Sequence, residues 1–160
     1  MSPALSGLVL AVPGTPGPLL LVEQDGALSR VVFPGDPVPD YAARETPLLR
    51  EAAAQFREFL SSARTRFNLP FRLDGTPFQR SVWNALLDIP FGETRTYGDI
   101  ARAIDRPRAF QAVGSAVGTN PLGILVPCHR ILPASGALGG FRAGPTWKRF
   151  LLRLEGHSPC

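Results

Sequence analysis

The chain has 160 residues and a mass of 17.2 kDa, enough to bury one core or two small ones. Hydrophobic residues at 44% and charged residues at 19% exclude wholesale disorder, and no solenoid or collagen-like period is present. The formal net charge of +4 is unevenly placed: residues 1–70 hold six basic against seven acidic side chains and residues 71–160 eleven against six, so the second half carries the electrostatic footprint either of a nucleic-acid-binding domain or of an Arg-rich solvated surface.

From Met1 through Val22 no charge occurs. Pro3, Pro13, Pro16 and Pro18 with Gly7, Gly14 and Gly17 nevertheless break the stretch well short of the ~20 apolar residues a spanning helix needs, and no basic region precedes it. A soluble, cytoplasmic protein without a membrane partner is expected. Leu8–Val12, Leu19–Val22 and Leu28–Phe33 are short apolar runs separated by Pro-Gly and Asp25-Gly26 turn signals, which predicts hairpin-connected strands in a small antiparallel sheet. After a Pro-rich loop from Pro34 to Pro39, the segment Pro47–Ser61 sets Leu48, Leu49, Ala52, Phe56, Phe59 and Leu60 on one helical stripe opposite Arg50, Glu51, Arg57 and Glu58. That is the pattern of a helix docked on the sheet. Arg64–Gly75, with Pro70 and Asp74-Gly75, reads as an extended connector; the domain boundary is placed there, giving an α/β domain over 1–70 and a second domain over 71–160.

Thr76-Pro77-Phe78-Gln79 joins a hydroxyl N-cap, a proline at the first helical position and a capping-box glutamine, and predicts a helix to about Asp88. Thr96-Tyr97-Gly98-Asp99 opens a short helix through Ile104, and Arg106-Pro107 opens a third that ends near Gly118-Thr119-Asn120-Pro121. Two short helices across a tight turn resemble a helix-turn-helix. On the third helix Phe110, Ala112, Val113, Ala116 and Val117 form the apolar part. Arg108, Gln111, Gly114, Ser115 and Gly118 form a small or donor-bearing face, suited either to a narrow groove or to tight packing on a neighbour.

The run Gly123–Leu132 is apolar except for Cys128-His129-Arg130. Apolar burial raises a cysteine's pKa and leaves it inert, whereas an adjacent base lowers it and yields a nucleophile. In a plain strand, neighbours point to opposite faces. Cys128 and His129 can therefore share a proton only across an irregular backbone, which Pro127 makes plausible, or through a bridging water. Taken singly, Cys128 reads as a buried small hydrophobe and His129 as a satisfied core imidazole. The only other Cys and His, Cys160 and His157, lie on the tail and fit no zinc spacing, so no metal is expected; a disulfide to Cys160 would need a pinned C-terminus, so free thiols in a reducing compartment are expected instead.

These residues resemble the O6-alkylguanine-DNA alkyltransferases. The resemblance runs through Pro127-Cys128-His129-Arg130, Asn120-Pro121, Ser135-Gly136-Ala137-Leu138-Gly139, Trp147-Lys148, Leu154-Glu155-Gly156 and Phe91-Gly92-Glu93-Thr94-Arg95-Thr96-Tyr97, and covers about residues 76–156. It implies an α+β fold: a small N-terminal ribonuclease-H-like α/β domain followed by a mainly helical, winged helix-turn-helix-like C-terminal domain. It also implies direct-reversal DNA repair without a cofactor, in which a monomer binds duplex DNA carrying O6-alkylguanine through the minor groove, flips the base and keeps its alkyl group irreversibly.

By the same resemblance Cys128 is the alkyl acceptor, His129 takes its proton through a water and Glu155 orients His129. Tyr97 turns the 3′ phosphate and protonates the departing guanine, supported by Lys148, while Asn120 holds the turn leading to the active-site segment. Ile131, Phe141 and Arg142 belong to the substrate pocket, and Gln111, Arg108, Ser115 and Arg130 to the DNA contact. Members of the family usually carry an arginine finger on the third helix, where this sequence has Gln111. The competing readings are a non-enzymatic lesion sensor of the alkyltransferase-like kind, in which the cysteine position is replaced; a Cys-His hydrolase, which would turn over; and a DNA-binding regulator, which would prefer a sequence to a lesion.

Overall fold

Three strands open the computed structural model, which describes residues 4–158: β1 (Leu5–Leu10), β2 (Leu19–Gln24) and β3 (Ala27–Val32). They form an antiparallel meander. Asp25 and Gly26, at φ 51° and 79°, make the two-residue turn between β2 and β3, the left-handed pair whose twist matches that of the strands. The first strand begins earlier than its apolar run, because pairing rather than hydrophobicity sets its limits: Leu5 lies opposite Gln24 and Leu10 opposite Leu19.

A fourth strand, β4 (Ala42–Ala43), runs parallel to β1, so the sheet is mixed, in the order β3-β2-β1-β4, and not purely antiparallel. Two exposed alanines after a Pro-rich loop carry no strand pattern. Helix α1 (Pro47–Leu60) packs on the sheet. Thr46 caps it, its Oγ1 accepting from the Leu49 N–H at 3.1 Å, and Leu49, Ala52, Phe56 and Phe59 are buried. The other sheet face is covered in part by Leu5 and Tyr41, which pack on Leu20, Val22 and Val32. The connector is tied back to β3: the Leu28 N–H donates to the Pro70 carbonyl at 2.9 Å, and the Arg72 N–H to Leu28 at 3.0 Å. The chain divides into two compact units after Arg72, Met1–Arg72 and Leu73–Cys160.

The second unit is helical: α2 (Pro77–Leu87), α3 (Tyr97–Ala103), α4 (Phe110–Gly118) and α5 (Pro145–Leu154), with a single 3-10 turn at Cys128–Arg130 between the last two. Capping boxes start α2 through Thr76 and Gln79, and α3 through Thr96 and Asp99. Val82, Trp83, Leu86, Ile100, Ala101, Val113 and Ala116 form the buried faces where α2, α3 and α4 meet. The indole N–H of Trp83 donates to the Ala116 carbonyl at 2.8 Å, tying α2 to α4. No helix among the described residues is long and apolar enough to cross a membrane.

Helix α4 departs from expectation at its head. Pro107 does not open it; the Ala109 N–H bonds the Arg106 carbonyl at 2.9 Å, closing a turn over 106–109, and α4 follows with Ala109 as an N-cap that offers no side-chain bond. A proline at the second position suits such a turn as well as a helix start, and Asp105, which precedes the pair, stands at φ 60° and not in the extended conformation of a helix N-cap. Arg108 therefore lies in the turn and not on the face of α4. Phe110 and Ala112, assigned to the apolar part, are exposed, Phe110 by 52%.

Replacing Thr76 by Ala removes the half of the capping box in which Thr76 Oγ1 accepts the Gln79 N–H, keeps the backbone N–H bond to Gln79 Oε1, and is expected to cost about 1 kcal/mol. Both tryptophans, Trp83 and Trp147, lie in the second unit. Their fluorescence during urea unfolding should report the loss.

Candidate active site

Cys128 stands in an irregular stretch, not in a strand. Its N–H bonds the Val126 carbonyl at 2.8 Å, and the Ile131 N–H returns to the Cys128 carbonyl at 3.2 Å, closing the 3-10 turn. Two anchors hold this turn. On one side the Arg95 N–H donates to the Arg130 carbonyl and the Leu132 N–H to Arg95, both at 2.9 Å, so the chain entering α3, with Tyr97 at its head, is fixed beside the turn. On the other, the buried Asn120 donates through Nδ2 to the Val126 carbonyl and accepts the Leu122 N–H at Oδ1, each at 2.9 Å. Within that loop Ile124 sits at φ 77°, a left-handed conformation costly for a β-branched residue; its burial and the Val126 N–H to Leu122 bond hold it there.

The C-terminal end of α5 delivers the carboxylate. Gly156, at φ 94°, donates its N–H to Arg153, and the His157 N–H reaches back to Leu152 at 2.9 Å, the paired bonds of a Schellman motif. The turn leaves the Glu155 side chain fully buried, although its position at a helix end suggests a surface charge. Glu155 accepts from His129 Nε2 at 2.6 Å, from Arg130 Nε at 2.8 Å and Nη2 at 3.0 Å, and from the Gly92 N–H at 2.9 Å.

Arg130 thus corrects a sequence expectation. The resemblance places it on the DNA contact, but it is 7% exposed, and its remaining Nη1 donates to the Ile89 carbonyl at 2.7 Å while its guanidinium lies 5.8 Å from the Phe91 ring centroid. A guanidinium so fully committed inside the protein has nothing left for a phosphate. Sequence reasoning also missed Gly92 and His157, whose Nε2 lies 2.8 Å from the Gly92 carbonyl. The Leu154-Glu155-Gly156 end signal was the available clue to that geometry.

The charges are ordered by these contacts. Burial alone would raise the Glu155 carboxyl, but hydrogen bonds and charge from His129, then Arg130 and the Gly92 N–H, bring it down to about 2. For His129 burial prevails over the attraction of Glu155, and the Arg130 and Lys148 cations add to it, so its pKa lies below the ordinary value and the imidazole is neutral at pH 7. With Nε2–H directed at an ionised carboxylate, the lone pair is on Nδ1, which is buried and has no hydrogen-bond partner. A buried base without a partner therefore follows Cys128 directly in the chain.

Burial also pushes the Cys128 thiol up, opposed by a hydrogen bond from the Asn120 side chain and by the positive charges of Lys148 and Arg142. Lys148 is buried and not solvated; its Nζ donates to the carbonyls of Ile131 at 2.7 Å and Gly140 at 3.0 Å, and burial lowers its pKa to about 8. Tyr97, half-buried, is raised by burial and then by the charge of Cys128, so it keeps its proton. A Cβ built on Gly114 of α4 would lie 3.8 Å from the Tyr97 ring.

The remaining expected residues divide between this cluster and the surface. Ile131 is buried, with its N–H on Cys128 and its carbonyl on Lys148. Phe141 is half-buried, and Arg142 donates to the Asn120 carbonyl at 3.4 Å. Gln111 and Ser115 are exposed on α4, and Arg108 is exposed in the preceding turn. Cys160 lies outside the described residues.

Residues 77–157 match the family model of the 6-O-methylguanine DNA methyltransferase, DNA binding domain. The methylated-DNA–protein-cysteine methyltransferase of Methanosarcina acetivorans is 44% identical over 144 residues, spanning 88% of this chain and 92% of that protein. The constitutive enzyme of that name from Bacillus subtilis is 40% identical over 147 residues, spanning 87% and 89%. The chain belongs to the methylated-DNA–protein-cysteine methyltransferase family. Among solved structures, the Mycobacterium tuberculosis O6-methylguanine methyltransferase superposes with a TM-score of 0.81 at 38% identity, covering 94% of this chain and 92% of that one. The OGT protein of the same organism, solved in complex with DNA, gives 0.84 at 38% identity, covering 95% and 92%. This methyltransferase is accordingly a DNA-repair enzyme that acts stoichiometrically, moving an alkyl group from DNA onto a cysteine of its own.

The Glu155 carboxyl titrates at about 2 when folded, against an ordinary value of 4.5 in the unfolded chain. The unfolded chain therefore takes up the proton first as pH falls: the contribution, on the order of 3 kcal/mol, is complete above about pH 5 and disappears toward pH 2. Glu155→Gln should flatten the acid dependence of stability in that window, and should cost about 3–5 kcal/mol at pH 7 by leaving Arg130 buried without its counter-charge. Urea titrations at several pH values measure both. An unchanged acid slope in the variant would assign the effect to another group.

Proposed function

We propose that the acceptor is Cys128 and that the substrate is O6-alkylguanine in duplex DNA. The observation that carries this is the buried, unpartnered Nδ1 of His129, directly after the thiol in sequence and oriented by Glu155 from the other ring nitrogen. The thiol proton passes to Nδ1 through a water. The resulting sulfur anion, stabilised by Lys148, attacks the alkyl carbon on guanine O6 in line with the C–O bond. A C–S bond forms as the C–O bond breaks, its electron pair leaves on guanine, and Tyr97 supplies the proton that makes guanine a good leaving group. The product is a thioether that water does not reverse, and each molecule reacts once.

Access to Cys128 requires the base to leave the duplex, since O6 within a stacked pair cannot approach a buried sulfur. We place α3 and α4 as a helix-turn-helix on the minor groove, with Gln111 and Ser115 on the DNA side of α4 and Arg108 at its head. Asn120, Ile131, Phe141 and Arg142 line the pocket for the extruded guanine. In the same reading the second unit is a winged helix-turn-helix-like domain and the first is ribonuclease-H-like, a reading supported by its antiparallel meander with a parallel fourth strand beside β1. The protein acts as a monomer without a cofactor. No observation favours the sensor reading, because the nucleophile and its base are both present.

Mixing the protein with a duplex carrying one O6-methylguanine should add a single methyl to Cys128, seen by intact mass and peptide mapping, at no more than one equivalent and not at all in Cys128→Ala. Lesion binding without transfer would leave only a sensor. Duplex affinity should fall steeply with salt, because phosphate contacts release counterions; a flat dependence would refute the groove-binding part.

A further inference from the structure

We propose that Phe110 is a wedge that enters the base stack beside the extruded nucleotide and fills the space the base vacates. This rests on the base-flipping reading above and adds a residue to it. Phe110 is 52% exposed; the other large exposed apolar side chains among the described residues, Val9, Val38 and Phe71, all lie in the first unit. In the second unit it stands alone, and it does so on the helix assigned to the DNA.

Its position is specific. Phe110 is the first residue of α4 and precedes Gly114 by four, so the two share a stripe of the helix about 6 Å apart along the axis. Gly114 is where the Tyr97 ring approaches α4, and Tyr97 is near enough to Cys128 to feel its charge. The exposed ring is therefore about one helical turn from the residues that handle the extruded base. Beyond it the accessible positions of α4 are Gln111, Ala112, Ser115 and Gly118, none bulky enough to hold the helix away from a groove.

The surroundings fit a polyanion with an apolar interior. Arg106, Pro107, Arg108 and Ala109 line an open concavity of about 500 Å³ at the head of α4, and the N-cap Ala109 gives the first helical N–H groups no side-chain acceptor. Arginines and open N–H groups suit phosphates, while the ring between them suits stacked bases; apolar side chains inserted from the minor groove unstack a step and kink the duplex. Gln111, the next residue, adds a carboxamide that can hydrogen-bond the edge of the unpaired partner base. Phe110 supplies the stacking surface and Gln111 the polar contact.

Single-turnover methyl transfer from one O6-methylguanine strand, free and in duplex, separates the wedge from a general role in the fold. Phe110→Ala should slow transfer from the duplex by on the order of tenfold, the scale of one lost base–aromatic stack, with the single-strand rate nearly unchanged. Phe110→Trp should keep the duplex rate, and 2-aminopurine placed next to the lesion should brighten less with the Ala variant than with the wild type. A duplex rate in Phe110→Ala equal to the wild type would overturn the wedge and leave the alkyl-transfer reading intact. An equal loss on both substrates would also overturn it, by assigning Phe110 to the fold. Wild-type protein that takes no methyl from either substrate would remove the alkyl-transfer reading, and the wedge with it.

Discussion

A carboxylate buried with no exposed surface organises the second unit. Glu155 is out of water, and an ion in that position persists only when every lone pair is matched. Its donors come from two separate stretches, the Gly92 turn and the Cys128–Arg130 turn, while the Schellman bonds at the end of α5 hold Glu155 itself in place. The requirement to satisfy one charge brings these stretches together, and the nucleophile is placed as a consequence. Burial keeps His129 uncharged against the attraction of Glu155, and the Arg130 guanidinium adds to that effect.

The same burial governs the timing of the chemistry. A cysteine that reacts once and is then spent is wasted by any small electrophile that finds it ionised, so a low resting pKa would be a liability. Desolvation holds the Cys128 proton in place, while Asn120, Lys148 and Arg142 are already arranged around the charge that will form. The Lys148 Nζ is fixed by two carbonyls, so in the proposed reaction its ammonium acts as a preset field and does not have to move. Tyr97 is raised first by burial and then by the charge of Cys128, which suits the proton donor proposed for the departing guanine.

Local signals in the sequence led to local structure. The capping boxes at Thr76 and Thr96, the Asp25-Gly26 turn and the amphipathic α1 were legible because each is decided within a few residues by side-chain bonds or periodicity. β4 was not, since its pairing with β1 spans more than thirty residues and its two alanines prefer nothing. The head of α4 failed for a related reason: Arg106-Pro107 is compatible with a turn and with a helix start, and the packing of Val113, Ala116 and Val117 chooses between them. At the site, Cys128 and His129 stood out by composition. The burial of Arg130, Lys148 and Glu155 could not be seen, because charged residues are buried only where partners distant in sequence converge on them.

The uncapped head of α4 shows where this fold leaves stability unused. α2 and α3 each begin with a reciprocal side-chain cap, whereas α4 begins after Ala109 with none, and leaves a phenylalanine in water in its first turn. Each choice disfavours the free protein, by the uncompensated N–H groups in one case and by exposed apolar area in the other. Both deficits are relieved by one kind of partner, a surface offering anionic acceptors at its rim and flat apolar faces within. On the proposed placement of α4 against DNA, Ala109→Asp would set a like charge where phosphate approaches, so the features that weaken this end of the helix are the ones such a helix could not surrender.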